Sequence, residues 1–179
     1  MSAGGALPRL KRLVVFAAFA VAASTADARF LSGFDAFRAG EYCKARDYWL
    51  KSERDGDSNS AFGLAELYAR GFCVKQNDRL ATRWYFTAAL RGNSRARAEL
   101  GVRYAYGRGV KPNAFKAYVW LSAGKLSAAG WDTTFVKNAD ANLQMLRPLL
   151  TDKEKQRADR IQAAFVRKWA LPREFNSLD

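Results

Sequence analysis

The chain has 179 residues, with 30 lysines and arginines against 17 acidic residues and no histidine. The missing imidazole removes the commonest general base and every Ser–His or Cys–His arrangement. A formal charge of +13 favours acidic partners, and two cysteines without histidine make a zinc site dependent on carboxylates.

Arg9, Lys11 and Arg12 precede an apolar run of 11 residues, Leu13 to Ala23. Spanning a bilayer takes ~20 residues. Ala26-Asp27-Ala28 follows, so residues 1–28 read as a signal peptide cleaved after Ala28. A retained short anchor is the alternative. No cysteine follows the apolar run, which argues against a lipid anchor. The mature chain, residues 29–179, is then a single domain carrying about +11 (27 − 16). Its expected location is periplasmic or secreted.

Phe30, Phe34 and Phe37 stand four and three apart and predict a first helix to Ala39. Gly40-Glu41 breaks it. A second helix is expected over Tyr42 to Arg54, with Ala45, Tyr48 and Trp49 facing inward. Asp57-Ser58 caps a third, Ser58 to Arg70, which Gly71 ends. Helices follow at Asp78 to Arg91, Ser94 to Tyr106 and Asn113 to Leu126. After Gly130, Asp132 to Leu149 reads as a helix with Phe135, Ala139, Leu143 and Leu146 on one face. Thr151-Asp152-Lys153-Glu154 is a capping box. The last helix carries the stripe Ala158, Ile161, Phe165 and Trp169, and Pro172 ends it, leaving a loose tail.

One pattern is written twice. Leu64, Tyr68, Gly71, Val74, Lys75, Ala81 and Trp84 return as Leu100, Tyr104, Gly107, Val110, Lys111, Ala117 and Trp120, each 36 residues later. Ala45, Tyr48 and Gly56 stand 36 before Ala81, Trp84 and Gly92, a partial earlier copy. A fixed period of this size means stacked supersecondary units. Clear copies cover about 58–93 and 94–129, with a partial copy at 30–57 and a helix pair at 132–170. Trp84 and Trp120, recurring at the period, are expected in the core between hairpins.

Leu100-Gly101, Tyr104, Gly107, Gly109, Val110, Lys116-Ala117 and Trp120 resemble the Sel-one-like repeat (SLR), a relative of the tetratricopeptide repeat. The period of 36 and the Gly-x-Gly-Val turn separate it from the tetratricopeptide repeat, whose period is 34. The resemblance implies an all-α fold: a right-handed solenoid of about four antiparallel helical hairpins. It also implies an adaptor that holds protein partners in secretion, envelope regulation or signalling. Ala65 and Cys73 depart from the motif, each standing where it expects a glycine. In such an array, the start of one helix and the end of the next share an edge. Cys43 and Cys73 are therefore expected to form a disulfide, with a redox-active or metal-binding pair as the alternative.

No cofactor is expected and no catalytic set is evident. Ser122-Ala123-Gly124-Lys125 has the Ser-x-x-Lys spacing of penicillin-interacting enzymes. Its companion motifs are missing, and ten serines with eleven lysines produce about 0.6 such spacings by chance. A hydrolase acting on cell-wall material or β-lactams is the remote reading. Phe62, Glu66, Arg70, Glu99, Arg103 and Tyr106 lie on the first helices of their hairpins, off the shared motif. Those helices tend to line the concave face, so these six are the expected contacts to a protein or peptide partner. A second reading places an anionic envelope polymer or lipid on the basic faces. Those are Arg79, Arg83, Arg91, Arg95 and Arg97, and Arg157, Arg160, Arg167 and Lys168. Nucleic acid satisfies the same charge, but export argues against it.

Overall fold

The computed structural model describes residues 27–128 and 132–178. Residues 1–26, all but the last two positions of the expected signal peptide, 129–131, which include Gly130, and Asp179 lie outside the described residues. Eight α-helices form among the described residues, and no strand. They are α1 (27–38), α2 (Tyr42–Arg54), α3 (Ser58–Arg70), α4 (Asp78–Leu90), α5 (Ser94–Tyr106), α6 (Ala114–Ala128), α7 (Thr133–Leu146) and α8 (Asp152–Lys168). Each helix from α2 to α6 packs on the next, and α8 packs on α6 and hardly on α7. The result is an all-α solenoid of helical hairpins.

The helix bounds follow from local chemistry. Asp57 accepts hydrogen bonds from the amides of Asn59 and Ser60, and Asn93 accepts one from Ala96. These caps satisfy amides that the helix itself cannot. Gly71 and Gly107 close α3 and α5 in the left-handed conformation. Thr151 and Glu154 form the expected capping box. Helix α7 stops at Leu146, earlier than expected. Pro148 has no amide to donate, and Arg147–Leu149 tightens into a 3-10 turn.

Tryptophans fill the joints. Trp49 lies against Gly33 and Gly63, where an added Cβ would come within 2.4 Å and 2.6 Å of the indole. Trp84 bridges the N-terminal core cluster and the main one, while Trp120 is fully buried. Arg97 is buried as a cross-brace. It donates to the Ala89 carbonyl at 3.1 Å and to Ser127 at 2.5 Å, and its guanidinium lies 5.1 Å from the centre of the Phe165 ring.

Three expectations change. Tyr48 is exposed; Trp49, its neighbour, takes the buried position. Trp169 caps α8 at φ 52 and is 56% exposed, with only an edge-on contact to the Phe165 ring, 5.6 Å between centres. The tail is docked: Phe175 is buried against Phe115 and Trp120, and the Tyr104 hydroxyl donates to the Leu178 carbonyl at 3.2 Å.

The joints between hairpins are quasi-equivalent but chemically different. At the α5–α6 turn, Gly109 has φ 73, and an added Cβ would fall 2.3 Å from the Asp78 carbonyl at the start of α4. Thirty-six residues earlier stands Cys73, with φ 61. The residue matching Arg79 is Cys43 (79 − 36). These two are joined as a disulfide, Cα–Cα 5.1 Å. The bridge thus occupies the place where the later joint brings backbones into contact. Phe72 stacks on Tyr42 beside it, ring centres 4.3 Å apart.

Two outcomes test this account. Cys43→Ala with Cys73→Ala should lower stability by about 3.5 kcal/mol, the chain-entropy value for this loop, in a urea titration run without reductant. Phe175→Ala should lower it by about 3 kcal/mol in the same titration, whereas a loose tail would leave it unchanged.

Candidate functional site

Helices α1, α3 and α5 enclose a groove of about 660 Å³, within the size range of ligand-binding clefts. Phe30, Phe34, Trp49 and Phe62 supply its apolar surface; Asn59, Glu66, Arg70, Asn93, Arg95 and Glu99 supply its polar groups. A polar hollow of about 440 Å³ adjoins it, lined by Tyr85, Asp78, Arg103 and Arg108 among others. Glu66, Arg70 and Glu99 line both spaces.

The charges here are unequally satisfied. Glu66 accepts hydrogen bonds from the Tyr85 hydroxyl and from Arg70 Nε, the latter at 2.8 Å. Burial, with the Glu66 and Glu99 carboxylates nearby, drives the Tyr85 phenol far above its ordinary range. The Glu99 carboxylate accepts no hydrogen bond among the described residues. Burial pushes its carboxyl above the ordinary glutamate value and Glu66 adds to the rise, opposed by Arg103, Arg108 and Arg70.

Four of the six expected contact residues, Phe62, Glu66, Arg70 and Glu99, come together in this groove. Arg103 does not serve as an exposed anchor. It is 5% exposed, pairs with Asp78 at 3.0 Å, donates to Thr82 at 3.2 Å, and lies 4.7 Å from the Tyr85 ring centre. Thr82 in turn lies 2.8 Å from the Arg108 carbonyl, so this cluster latches the α5–α6 turn onto α4. The signal was available: the residue 36 before Arg103 is the buried Leu67, marking an inward position. Tyr106 is 65% exposed and lines a separate apolar recess with Val102, Met145 and Leu149. Sequence reading missed Phe34, Asn59, Asn93 and Arg95 as groove residues. Asn93 was legible as a cap, but its amide also donates to Asn59 at 2.9 Å across the groove wall.

The Ser122 and Lys125 side chains have other partners. Gln162 donates to the buried Ser122 hydroxyl at 2.8 Å, and Lys125 is ion-paired with Asp140. Neither bonds the other, so the nucleophile–base contact of a Ser–Lys enzyme is not formed. The disulfide likewise leaves neither sulfur free for a metal.

Comparison with known families matches the Sel1 repeat at residues 58–93 and 94–124, the two copies carrying the 36-residue register. The chain thus carries two Sel1 repeats, over 67 of its 179 residues. The family's repeats generally mediate protein–protein interaction. This Sel1-repeat protein is similar in structure to c5321, a protective antigen present in uropathogenic Escherichia coli strains displaying an SLR fold. The TM-score is 0.69 at 27% identity, over 84% of this chain and 31% of that chain. The chain thus spans about a third of that relative's length. No curated protein sequence matches it.

The raised Glu99 carboxyl fixes a sign. Its protonated form is favoured in the fold, so its contribution is fully present below the ordinary glutamate range. That contribution is lost as pH rises through the elevated value. Glu99→Gln should therefore raise the Tm at about pH 7.5, and the gain should vanish at about pH 3.5. Thermal melts at both values check this; an equal gain at both would assign the effect to packing.

Proposed function

We propose that this Sel1-repeat protein is an exported adaptor that holds a segment of a protein partner in the α1–α3–α5 groove. The observation that carries the reading is the groove itself: aromatic surface on the apolar side, and amide, carboxylate and guanidinium groups at its edge, all on helices of a repeat scaffold. Aromatic side chains beside arginine are the usual composition of interface anchors. The expected leader at residues 1–28 supports export to a periplasmic or external compartment. The net positive charge supports a partner that is acidic overall. Ser122 and Lys125, each engaged by a different residue, support a binding role over hydrolysis.

The test is affinity capture after cross-linking in intact cells, using the chain expressed with its own leader and washes at low and high salt. Phe34→Ser combined with Arg70→Glu should weaken capture of the specific partner about 30-fold, the scale of a lost hot spot. Tyr106→Ala, outside the groove, should leave it within about twofold. Loss with Tyr106→Ala and retention with the groove variant would move the binding surface to the α5–α7 recess.

A further inference from the structure

The later joint carries glycine where the earlier one carries cysteine, and the surroundings of that cysteine are unlike the rest of the array. Cys43 is exposed and Cys73 half-buried. Both line an open hollow of about 320 Å³ beside Gly40 and Lys44. A disulfide so placed can be reached by an attacking thiolate.

Cys43 is the second residue of α2. In α3, α4, α5, α7 and α8 a side chain caps the first amides, supplied by Asp57, Asn77, Asn93, Asp132 and Thr151. Helix α2 has no such cap: its N-cap residue, Glu41, pairs with Lys44 at 2.7 Å instead. The first-turn amides of α2 are therefore left to stabilise a Cys43 thiolate, which makes Cys43 the better leaving group of the pair. Cys73 holds φ 61, a left-handed conformation that a side chain resists and that the matching Gly109 adopts freely. Opening the bridge frees that turn to relax.

The first hairpin also has a core of its own. Ala36, Ala45 and Trp49 cluster with Leu64 and Leu67, apart from the main core. Phe37, Tyr42 and Phe72 close that cluster on the side of the bridge. A unit with one repeat neighbour and a separate small core can open while the remaining hairpins stay folded.

We propose that the Cys43–Cys73 bridge is a redox switch for the groove, opened by a dithiol, an inference that rests on the groove being the partner site. One thiolate of the dithiol attacks the Cys73 sulfur, forms a mixed disulfide and expels Cys43 as a thiolate, which takes up a proton. The second sulfur of the dithiol then displaces Cys73 as a thiol and closes the dithiol's own disulfide. Two electrons and two protons pass from the dithiol to the protein. With the staple gone, α1 and α2 loosen from α3, and Phe30, Phe34 and Trp49 no longer share one groove with Phe62. The later joint, closed by Arg103, Thr82 and Asp78, holds nothing a dithiol reduces.

Purified oxidised protein treated with dithiothreitol, without denaturant, should expose both thiols to alkylation while circular dichroism shows most helix retained. Amide hydrogen exchange should then quicken about 100-fold over residues 30–54 and stay within about threefold over residues 94–128. Cys43→Ala with Cys73→Gly, which gives the earlier joint the glycine of the later one, should show no response to dithiothreitol. These readouts need no partner, so they decide the switch whatever the capture experiment finds for the groove. A bridge that resists dithiothreitol until the helices melt is purely structural and overturns the proposal. Unchanged exchange over residues 30–54 after reduction overturns it too, as does equal quickening in every helix.

Discussion

The stacking of this array rests on one contact, the meeting of each hairpin's turn with the start of the preceding hairpin's second helix. That meeting sets how close successive hairpins lie, and hence the curvature of the surface their first helices share. The later joint achieves it with Gly109 against the Asp78 carbonyl, held by Arg103, Thr82 and Asp78. The earlier joint replaces every one of those parts. Cys73 takes the glycine's place, Leu67 takes the arginine's, Phe72 on Tyr42 replaces the polar latch, and the disulfide supplies the closure. A covalent bond suits that position because the first hairpin lacks the second repeat neighbour that buries the later ones.

The groove depends on that staple. Its apolar side is built from α1, α2 and α3, and Trp49 of α2 sits between Gly33 and Gly63 only if the first hairpin is held against the second. The polar side belongs to α3 and α5, the regular part of the array. The site therefore joins an irregular terminal hairpin to a repeating body. Its aromatic character comes from the former, and its charged groups come mostly from the latter.

Much of this was legible in sequence, for identifiable reasons. The 36-residue register gave the helices because each copy repeats the same caps and turn glycines. The bounds of α2, α3 and α5 agree with expectation to the residue. The cysteine pairing followed from the alternation of helix direction. What sequence could not decide was depth. Arg103 and Arg97 read as surface charges, yet both are buried, because guanidinium groups tolerate burial when carbonyls and ring faces surround them. Phe175 read as part of a loose end because it lies beyond Pro172, and nothing local announces that Trp120 and Phe115 leave a place for it. Phe34, Asn59 and Asn93 were missed because their local roles, helix face and cap, already sufficed to explain them.

The distribution of charge then separates the two ends of the molecule. In the body, several arginines are structural: they brace helices, close turns and pair across hairpins, so a count of basic residues overstates the free positive surface. Near the groove, Glu66 is satisfied by Tyr85 and Arg70 while Glu99 is held half-buried without a donor, a balance that leaves the site mixed in charge instead of uniformly basic. On α8, Arg157 pairs with Glu174, while Lys153, Arg160, Arg167 and Lys168 face solvent. A protein whose overall charge suggests a single basic face thus carries two surfaces of different chemistry. One is aromatic and charge-balanced, at the stapled N-terminal hairpins; the other is cationic, on the last helix.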